Sequence, residues 1–256
     1  MKSGPIVAAL LGLLFSGPLR ADIAGTIARV KPSVVIVGTF KSTSSPRFAL
    51  RGTGFVVGNG NLAITNAHVL QPAAEQNAGA ALVIQTRGAQ NELQMRATTV
   101  LEVDRVHDLV LLRFEGPALP ALSVRDSGAV REGQAVAFMG FPIGGALGFS
   151  PVTHRGMISS IAAVALPTAS AQQLNEKTIR SLRDGASFHI FQLDGTAYPG
   201  NSGGPLFDPD TGEVLGVVNM VFVKGTRESA LSSPSGISYA IPSGFVLPLL
   251  QRGSTY

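Results

Sequence analysis

Short runs of Val, Ile and Leu recur along the chain, and turn-forming residues separate them. The apolar run at 32–40 predicts a strand, and the runs on either side of Gly58 to Asn61 predict a hairpin over residues 52–70, because Asn-Gly between apolar runs favours a tight turn. Further strands are predicted at 81–85, 94–103, 109–114, 135–140, 156–164, 188–193 and 214–223. Their spacing is typical of an all-β protein built from antiparallel sandwiches or barrels.

The stretch from residue 115 to 134 is rich in proline and glycine and divides the predicted strands into two sets. We therefore expect a linker there between two β-barrels, one over residues 22–118 and one over residues 119–256. Two helices are predicted outside the sheet pattern, at Ala171 to Arg183 and, as a short C-terminal turn or two, after Pro242.

The first 21 residues have the pattern of a secretory signal peptide. Lys2 precedes an apolar stretch from Ile6 to Phe15, and turn-formers and Ala21 follow it. The apolar stretch is shorter than the roughly 20 residues of a membrane-spanning helix. We therefore expect an exported protein, periplasmic or secreted, with no stable membrane insertion after cleavage; the alternative is that the segment stays uncleaved and anchors the protein.

The hydrophobic content, net charge and cysteine count of the chain restrict its class and its partners. Of 256 residues, 45% are hydrophobic, which is enough for a sizeable core. The formal net charge is only +4 and the arginines are scattered, so no nucleic-acid partner is expected. The chain has no cysteine and therefore needs no disulfide in any compartment.

The segment YPGNSGGPLF at 198–207 places glycines around one serine, Ser202. Glycines of this kind mark a tight turn, but the serine is also a candidate nucleophile, which needs a histidine to take its proton and a carboxylate to orient that histidine. All four histidines precede Ser202, which excludes the α/β-hydrolase order. The only acidic residue before His68 is Asp22, beside the predicted cleavage site, which excludes the subtilisin order. The order His, Asp, Ser remains.

His68 is the best candidate for the base, because it follows an apolar strand and lies among small residues. Asp108 is the best candidate for the orienting carboxylate, because it opens a strand and can be partly buried there. The remaining candidates are interpreted as structural or surface residues, or as weaker rivals: His107, His154, His189, Asp104, Asp126, Asp184 and Asp194.

The glycines near Ser202 gain a chemical reason in this arrangement. Backbone N–H groups of a tight turn can point at the oxyanion of a tetrahedral intermediate without obstruction by side chains. The turn of Gly200, Asn201 and Ser202 is therefore the predicted oxyanion hole, with the N–H groups of Gly200 and Ser202 as donors. No metal ion or cofactor is expected.

Three segments, ITNAHV, HDLVLLR and GNSGGPLF, resemble the catalytic motifs of chymotrypsin-fold serine proteases. The similarity is closest to the HtrA/Deg branch, and it extends to PSVV, GTGFVV, GFPIG, GMISSI and GISYAIPS, which together cover most of residues 25–245. The resemblance implies two six-stranded antiparallel β-barrels with the active site between them. It also implies that His68 is the general base, Asp108 its orienter and Ser202 the nucleophile.

The sequence departs from this family in several places. The chain ends at Tyr256, so no PDZ domain is expected after the protease, and residues 162–187 look longer than the corresponding loop. The segment after residue 21 lacks the aromatic contacts that the family commonly uses to form trimers, so a homo-oligomer is left open. Asn201 replaces the aspartate that pairs with a new N-terminal amine in pancreatic-type relatives. We therefore expect activation without an N-terminal cut.

By resemblance, the pocket for the residue before the scissile bond is lined by Thr196, Val218, Asn219 and Met220. No acidic residue is clearly placed at its base, so small or medium apolar side chains are the expected preference. The sequence thus predicts a serine endopeptidase acting on unfolded or exported polypeptides. The alternative is a catalytically silent chaperone or binding module with a protease fold.

Overall fold

The apolar runs of the sequence form the strands of two closed barrels in the computed structural model. The structure describes residues 22–70, 79–88, 92–142, 149–164, 188–219 and 237–253. The strands of the first barrel are β1 (Val34–Phe40), β2 (Phe48–Val57), β3 (Leu62–Asn66), β4 (Ala81–Arg87), β5 (Leu93–Asp104) and β6 (Leu109–Phe114). Those of the second are β7 (Ala135–Gly140), β8 (Val152–Val164), β9 (Phe188–Asp194), β10 (Pro205–Phe207), β11 (Val214–Asn219) and β12 (Ile237–Pro242).

Both barrels are antiparallel, with the strand orders β1-β2-β3-β6-β5-β4 and β10-β11-β12-β9-β8-β7. The prediction of an all-β protein with two six-stranded barrels is confirmed. The hairpin around Gly58 to Asn61 is also confirmed, as the turn between β2 and β3. Two strands of the second barrel are not among those predicted from the sequence: β10, which has only three residues, and β12.

The uninterrupted apolar runs of β1 and β6 reflect burial on both faces of each strand. In β6, Val110 and Leu112 point into the first barrel, whereas Leu109 and Leu111 join a cluster with Val214, Val217 and Ile241 of the second barrel. The side chains of β1 alternate in the same way. Val35 and Val37 lie inside the first barrel, whereas Val34 and Ile36 pack on β7 and β10. The two barrels therefore share buried apolar clusters that help to fix their relative position.

Within the described residues, two α-helices flank the barrels, at Ile23–Val30 (α1) and Val246–Gly253 (α2). The C-terminal helix was predicted, and its buried residues Val246 and Leu249 pack into the cluster between the barrels. The first helix was not predicted; its Val30 packs against the second barrel, and Thr26 Oγ1 donates to the carbonyl of Asp210 at 3.2 Å. Neither helix is long and apolar enough to cross a membrane within the described part of the chain.

The segment predicted as a linker, residues 115–134, runs between the barrels and bonds to both. The N–H of Leu122 donates to the carbonyl of Val56 at 2.9 Å, and the N–H of Arg125 donates to the carbonyl of Val214 at 3.0 Å. The predicted signal peptide and the predicted helix at 171–183 lie outside the described residues.

Candidate active site

His68 and Asp108 meet in the first barrel, at the ends of two neighbouring strands. His68 lies on a 3-10 turn directly after β3, and Asp108 directly precedes β6, which pairs with β3. The ring Nδ1 of His68 lies 2.6 Å from Asp108 Oδ2, and the backbone N–H of His68 donates to Asp108 Oδ1 at 2.8 Å. A carboxylate only accepts, so Nδ1 carries the ring proton and Nε2 is left with its lone pair.

The backbone of Asp108 is held as firmly as its side chain. Its φ angle is +55°, in the left-handed region that aspartate tolerates better than most residues. Its carbonyl accepts from the N–H of Ala67 at 3.0 Å and from Asn66 Nδ2 at 3.0 Å. The segment before His68 is therefore joined to Asp108 by hydrogen bonds from both backbone and side chain.

A third bond to the carboxylate comes from the second barrel. Asn219, at the end of β11, is fully buried, and its Nδ2 donates to Asp108 Oδ2 at 2.7 Å. The sequence predicts Asn219 as a residue of the substrate pocket and does not reveal its bond to Asp108, because the two residues are 111 positions apart and belong to different barrels. A role for Asn219 in the pocket stays a prediction.

The segment around Ser202 consists of two successive β-turns that share Asn201. In the first, the N–H of Asn201 donates to the carbonyl of Tyr198 at 2.9 Å; in the second, the N–H of Gly204 donates to the carbonyl of Asn201 at 3.0 Å. The third residue of each turn is a glycine with positive φ, +105° at Gly200 and +86° at Gly203. Such turns need glycine at the third position, which explains the spacing of the two glycines.

This geometry leaves two backbone donors available beside the serine. Within the described residues, no group accepts a hydrogen bond from the N–H of Gly200 or of Ser202, whereas the neighbouring N–H groups of Asn201, Gly203 and Gly204 are all bonded. The two unbonded groups are those that the sequence predicts as oxyanion donors. They belong to a turn in which the next peptide N–H groups are held by hydrogen bonds to backbone carbonyls.

Ser202 lies against the segment that carries His68. A Cβ atom added to Gly52 would lie 2.7 Å from a methyl group of Val69 and 2.8 Å from the carbonyl oxygen of Ser202. A Cβ atom added to Gly203 would lie 3.1 Å from the N atom of Asn66. Ser202 Oγ has no hydrogen bond to His68 in this structure; such bonds are often long in ligand-free sites and tighten when substrate binds.

The pattern of the trypsin-like peptidase domain matches residues 52–217, which include His68, Asp108 and Ser202. The chain belongs to the trypsin-like peptidase family. Serine protease HTRA4 of Homo sapiens is 31% identical to this peptidase over 246 residues, which are 93% of this chain and 44% of that protein. A probable periplasmic serine endoprotease DegP-like of Marinomonas sp. (strain MWYL1) is 29% identical over 201 residues, 78% of this chain and 35% of that protein.

Solved structures of HtrA-type proteases share the fold of this trypsin-like peptidase. HtrA-type protease AlgW with tripeptide has a TM-score of 0.62 at 23% identity and covers 90% of this chain and 62% of that chain. Deg5 has a TM-score of 0.63 at 23% identity and covers 88% of this chain and 90% of that chain. The peptidase spans less than half of the length of the two curated relatives above, at 35% and 44%.

A second His–Asp pair in this trypsin-like peptidase lies beside the first. His107 Nδ1 is 2.7 Å from Asp104 Oδ2, and the His107 ring stacks on Phe245 at 3.9 Å between ring centroids and meets the edge of Phe188 at 4.7 Å. Burial raises the pKa of the Asp104 carboxyl, but hydrogen bonds from the ring and backbone of His107, attraction to its ring and a bond from the Val106 N–H outweigh this and lower the pKa below its usual value. The pair anchors the turn before Asp108 to the second barrel.

His154, on β8, lies behind the nucleophile turn of the trypsin-like peptidase. Its ring stacks on Phe138 at 4.8 Å between centroids, and its Nε2 lies 3.5 Å from Nδ2 of the fully buried Asn201. Asn201 Oδ1 is buried and has no hydrogen-bond partner among the described residues. Asn201, the position of the activating aspartate in pancreatic-type relatives, therefore contacts a histidine of its own chain. Activation without an N-terminal cut stays a prediction.

Acid is expected to destabilise the folded protein through His154. Burial lowers the pKa of the His154 imidazole below its usual value. The unfolded chain therefore binds this proton at a higher pH than the folded chain does. The stabilising contribution is fully present above the unfolded pKa of about 6.5 and is lost as the pH falls from that value through the lower pKa of the folded state.

The measurement is the free energy of unfolding in urea between pH 7.5 and 5.5, for the wild type and for His154→Gln. The difference between the two proteins isolates His154 from the other histidines. A pH dependence that is unchanged in His154→Gln would contradict the expectation.

Gly203→Ala is expected to lower the free energy of unfolding by about 2–5 kcal/mol, the sum of left-handed strain and of overpacking. Its Cβ would be much closer than a van der Waals contact to the carbonyl oxygen of Thr53 and to Thr65 Oγ1, both buried in strands of the first barrel, so one of these groups would have to shift. Urea unfolding measures the loss, with Gly133→Ala as control, since Gly133 has φ +81° but nothing within 4 Å of an added Cβ. Equal losses in both variants would mean that the close approach at Gly203 carries no cost.

The predicted pocket residues are only partly described. Thr196 is half-buried just after β9, Val218 is fully buried in β11, and Met220 lies outside the described residues. No group of three or more His, Asp or Glu side chains in the described ranges is arranged to hold a metal ion.

Proposed function

We propose that this chain is a serine endopeptidase that hydrolyses peptide bonds of unfolded or exported polypeptides. Ser202 Oγ attacks the carbonyl carbon of the scissile bond while His68 Nε2 takes its proton. The oxyanion that forms accepts hydrogen bonds from the N–H groups of Gly200 and Ser202. His68 then gives the proton to the leaving amine. Water attacks the acyl group on Ser202 while His68 takes the proton of the water, and His68 returns that proton to Ser202 Oγ as the acid product leaves.

The single observation that carries the proposal is the 2.6 Å contact between His68 Nδ1 and Asp108 Oδ2. The Asp108 carboxylate accepts from His68 Nδ1 at 2.6 Å, from the His68 backbone N–H at 2.8 Å and from Asn219 at 2.7 Å. These bonds leave Nε2 as the basic atom of the ring. A histidine that served only packing would not need its tautomer set by a carboxylate bonded from both barrels.

The two unbonded N–H groups support the same chemistry. Buried or partly buried backbone donors are normally paired, and the N–H groups of Asn201, Gly203 and Gly204 in the same segment are all paired. Donors held in a fixed turn beside a serine suit a site that must stabilise a developing negative charge without reorganisation.

Export and substrate class are proposed from the sequence and the relatives. The first 21 residues have the pattern of a signal peptide, and a similar protein is named a probable periplasmic serine endoprotease. We propose polypeptides with exposed, extended segments as substrates, because a peptide must be extended to enter a cleft between two barrels.

The proposal is tested by incubating the purified chain with casein, which has little fixed structure, and with a compact folded protein. We expect cleavage of casein and slower cleavage of the folded protein, and no cleavage of either by Ser202→Ala. Mapping the new termini by mass spectrometry also tests the predicted preference for small or medium apolar residues, which cleavage chiefly after Lys or Arg would overturn. Binding of casein without cleavage would favour the silent chaperone instead.

A further inference from the structure

Thr53 connects the first barrel to the nucleophile turn of the second. It is fully buried in β2, and its hydroxyl donates to the carbonyl of Gly200 at 2.6 Å while accepting from the N–H of Phe141 at 3.1 Å. Its backbone N–H donates to the carbonyl of Ser202 at 2.8 Å. Its own carbonyl accepts from Thr65 Oγ1 at 2.7 Å. All the polar groups of Thr53 are thus bonded, and three of the four bonds cross between the barrels.

These bonds fix two alternate peptide groups of the nucleophile turn. The peptide between Gly200 and Asn201 is held at its oxygen by the Thr53 hydroxyl and at its N–H by the carbonyl of Tyr198. The peptide between Ser202 and Gly203 is held at its oxygen by the Thr53 N–H and at its N–H by the carbonyl of Val218. The peptide between them carries the Ser202 N–H, one of the two proposed oxyanion donors.

The turn needs such restraint because Gly200 is conformationally permissive. Its φ of +105° lies in a region that glycine enters and leaves at low cost. Rotation of the peptide that begins at Gly200 would displace both neighbouring donors from the position of the oxyanion, and electrostatic stabilisation of this kind depends on donors that are already oriented. The bond to Thr53 Oγ1 opposes that rotation.

The hydroxyl has a definite direction. Because Oγ1 accepts from the N–H of Phe141, its single proton is directed to the carbonyl of Gly200. Serine can make both bonds, whereas valine, which has nearly the same shape as threonine, can make neither. The effect of the Thr53 hydroxyl can therefore be measured separately from the effect of the side-chain volume.

We propose that the Thr53 hydroxyl is a positioning group for the oxyanion hole, acting from the first barrel on the orientation of the Gly200 peptide. This role rests on the proposed function of Ser202. Under this proposal the Thr53 hydroxyl affects the rate of bond formation at Ser202, in addition to helping to join the barrels.

The test uses the full chain as wild type, Thr53→Val, Thr53→Ser and Thr86→Val. Thr86→Val is the matched control, because the Thr86 hydroxyl is also buried in a strand of the first barrel but has no hydrogen-bond partner. Phosphonylation of Ser202 by a fluorophosphonate, in which Oγ bonds to phosphorus and fluoride leaves, is followed by intact mass at several reagent concentrations, which separates the limiting rate from the half-saturating concentration. Circular dichroism gives the folded fraction of each variant.

In Thr53→Val we expect the limiting rate to fall by about 10- to 100-fold, the scale of a small misplacement of catalytic groups, with the half-saturating concentration unchanged. Thr53→Ser and Thr86→Val should keep the wild-type rate. A wild-type rate in Thr53→Val, or an equally slow rate in Thr53→Ser, would overturn the proposal. If Thr53→Val does not fold, Thr53→Ser and Thr53→Ala are compared in the same way. Failure of the wild type itself to react would refute the proposed function, and the role of Thr53 with it.

Discussion

Replacing Ser202 with alanine is expected to abolish peptide hydrolysis, lowering kcat by a factor on the order of a million. The reason is that Oγ is the atom that attacks, and the oxyanion donors and His68 have no alternative nucleophile held beside them. The fold should be unaffected. Within the described part of the chain Ser202 Oγ accepts or donates no hydrogen bond, so its removal leaves no buried group without a partner.

The measurement is kcat on a fluorescent peptide, together with the urea midpoint. Ser159→Ala, which removes an exposed hydroxyl on β8, serves as control and should match the wild type in activity. Hydrolysis by purified Ser202→Ala at a rate comparable with the wild type would mean that another residue is the nucleophile.

Replacing Asp108 with asparagine is expected to lower kcat by about ten thousand-fold. An amide placed at the same position presents an N–H to His68 Nδ1, which favours the ring tautomer with its proton on Nε2. That tautomer cannot take the proton of Ser202. The bonds from Ala67 and Asn66 to the Asp108 carbonyl do not involve the side chain, so the geometry of the segment should be kept.

The chain offers a matched control for this variant in Asp104→Asn. Asp104 also contacts a histidine ring through Oδ2, at 2.7 Å, only four residues earlier in the sequence. Its loss should lower stability, because the bonds to His107 and to the backbone N–H groups of residues 106 and 107 are weakened, but should leave kcat near the wild-type value. A loss of kcat in Asp104→Asn as large as that in Asp108→Asn would contradict the assignment of Asp108.

Much of the fold could be predicted from local patterns. Runs such as 109–114 and 135–140 coincide with β6 and β7 to the residue, because β-branched and apolar side chains bounded by turn-formers leave little alternative to a strand. The helix α1 was missed, because its sequence contains Gly25 and several β-branched residues, and its stability comes from packing of Val30 on the second barrel.

The chemistry of the candidate site could be predicted only where it follows from residue type and order. His68, Asp108 and Ser202 were selected in this way, and the structure brings the first two into direct contact. The bonds from Thr53 to the nucleophile turn and from Asn219 to Asp108 could not be predicted, because they join the two barrels across 147 and 111 positions of sequence. The stacking of His107 on Phe245 could not be predicted for the same reason, because the two residues are also far apart in the sequence.

Ser202 is the proposed nucleophile, and His68 is proposed to activate it. This pair of roles is tested by treating the purified chain with a fluorophosphonate, measuring the intact mass, and locating the adduct by peptide mapping, with Ser202→Ala and His68→Ala in parallel. We predict one adduct, on the peptide that contains Ser202, in the wild type and none in either variant. No adduct in the wild type, or an adduct that persists in Ser202→Ala, would contradict the claim.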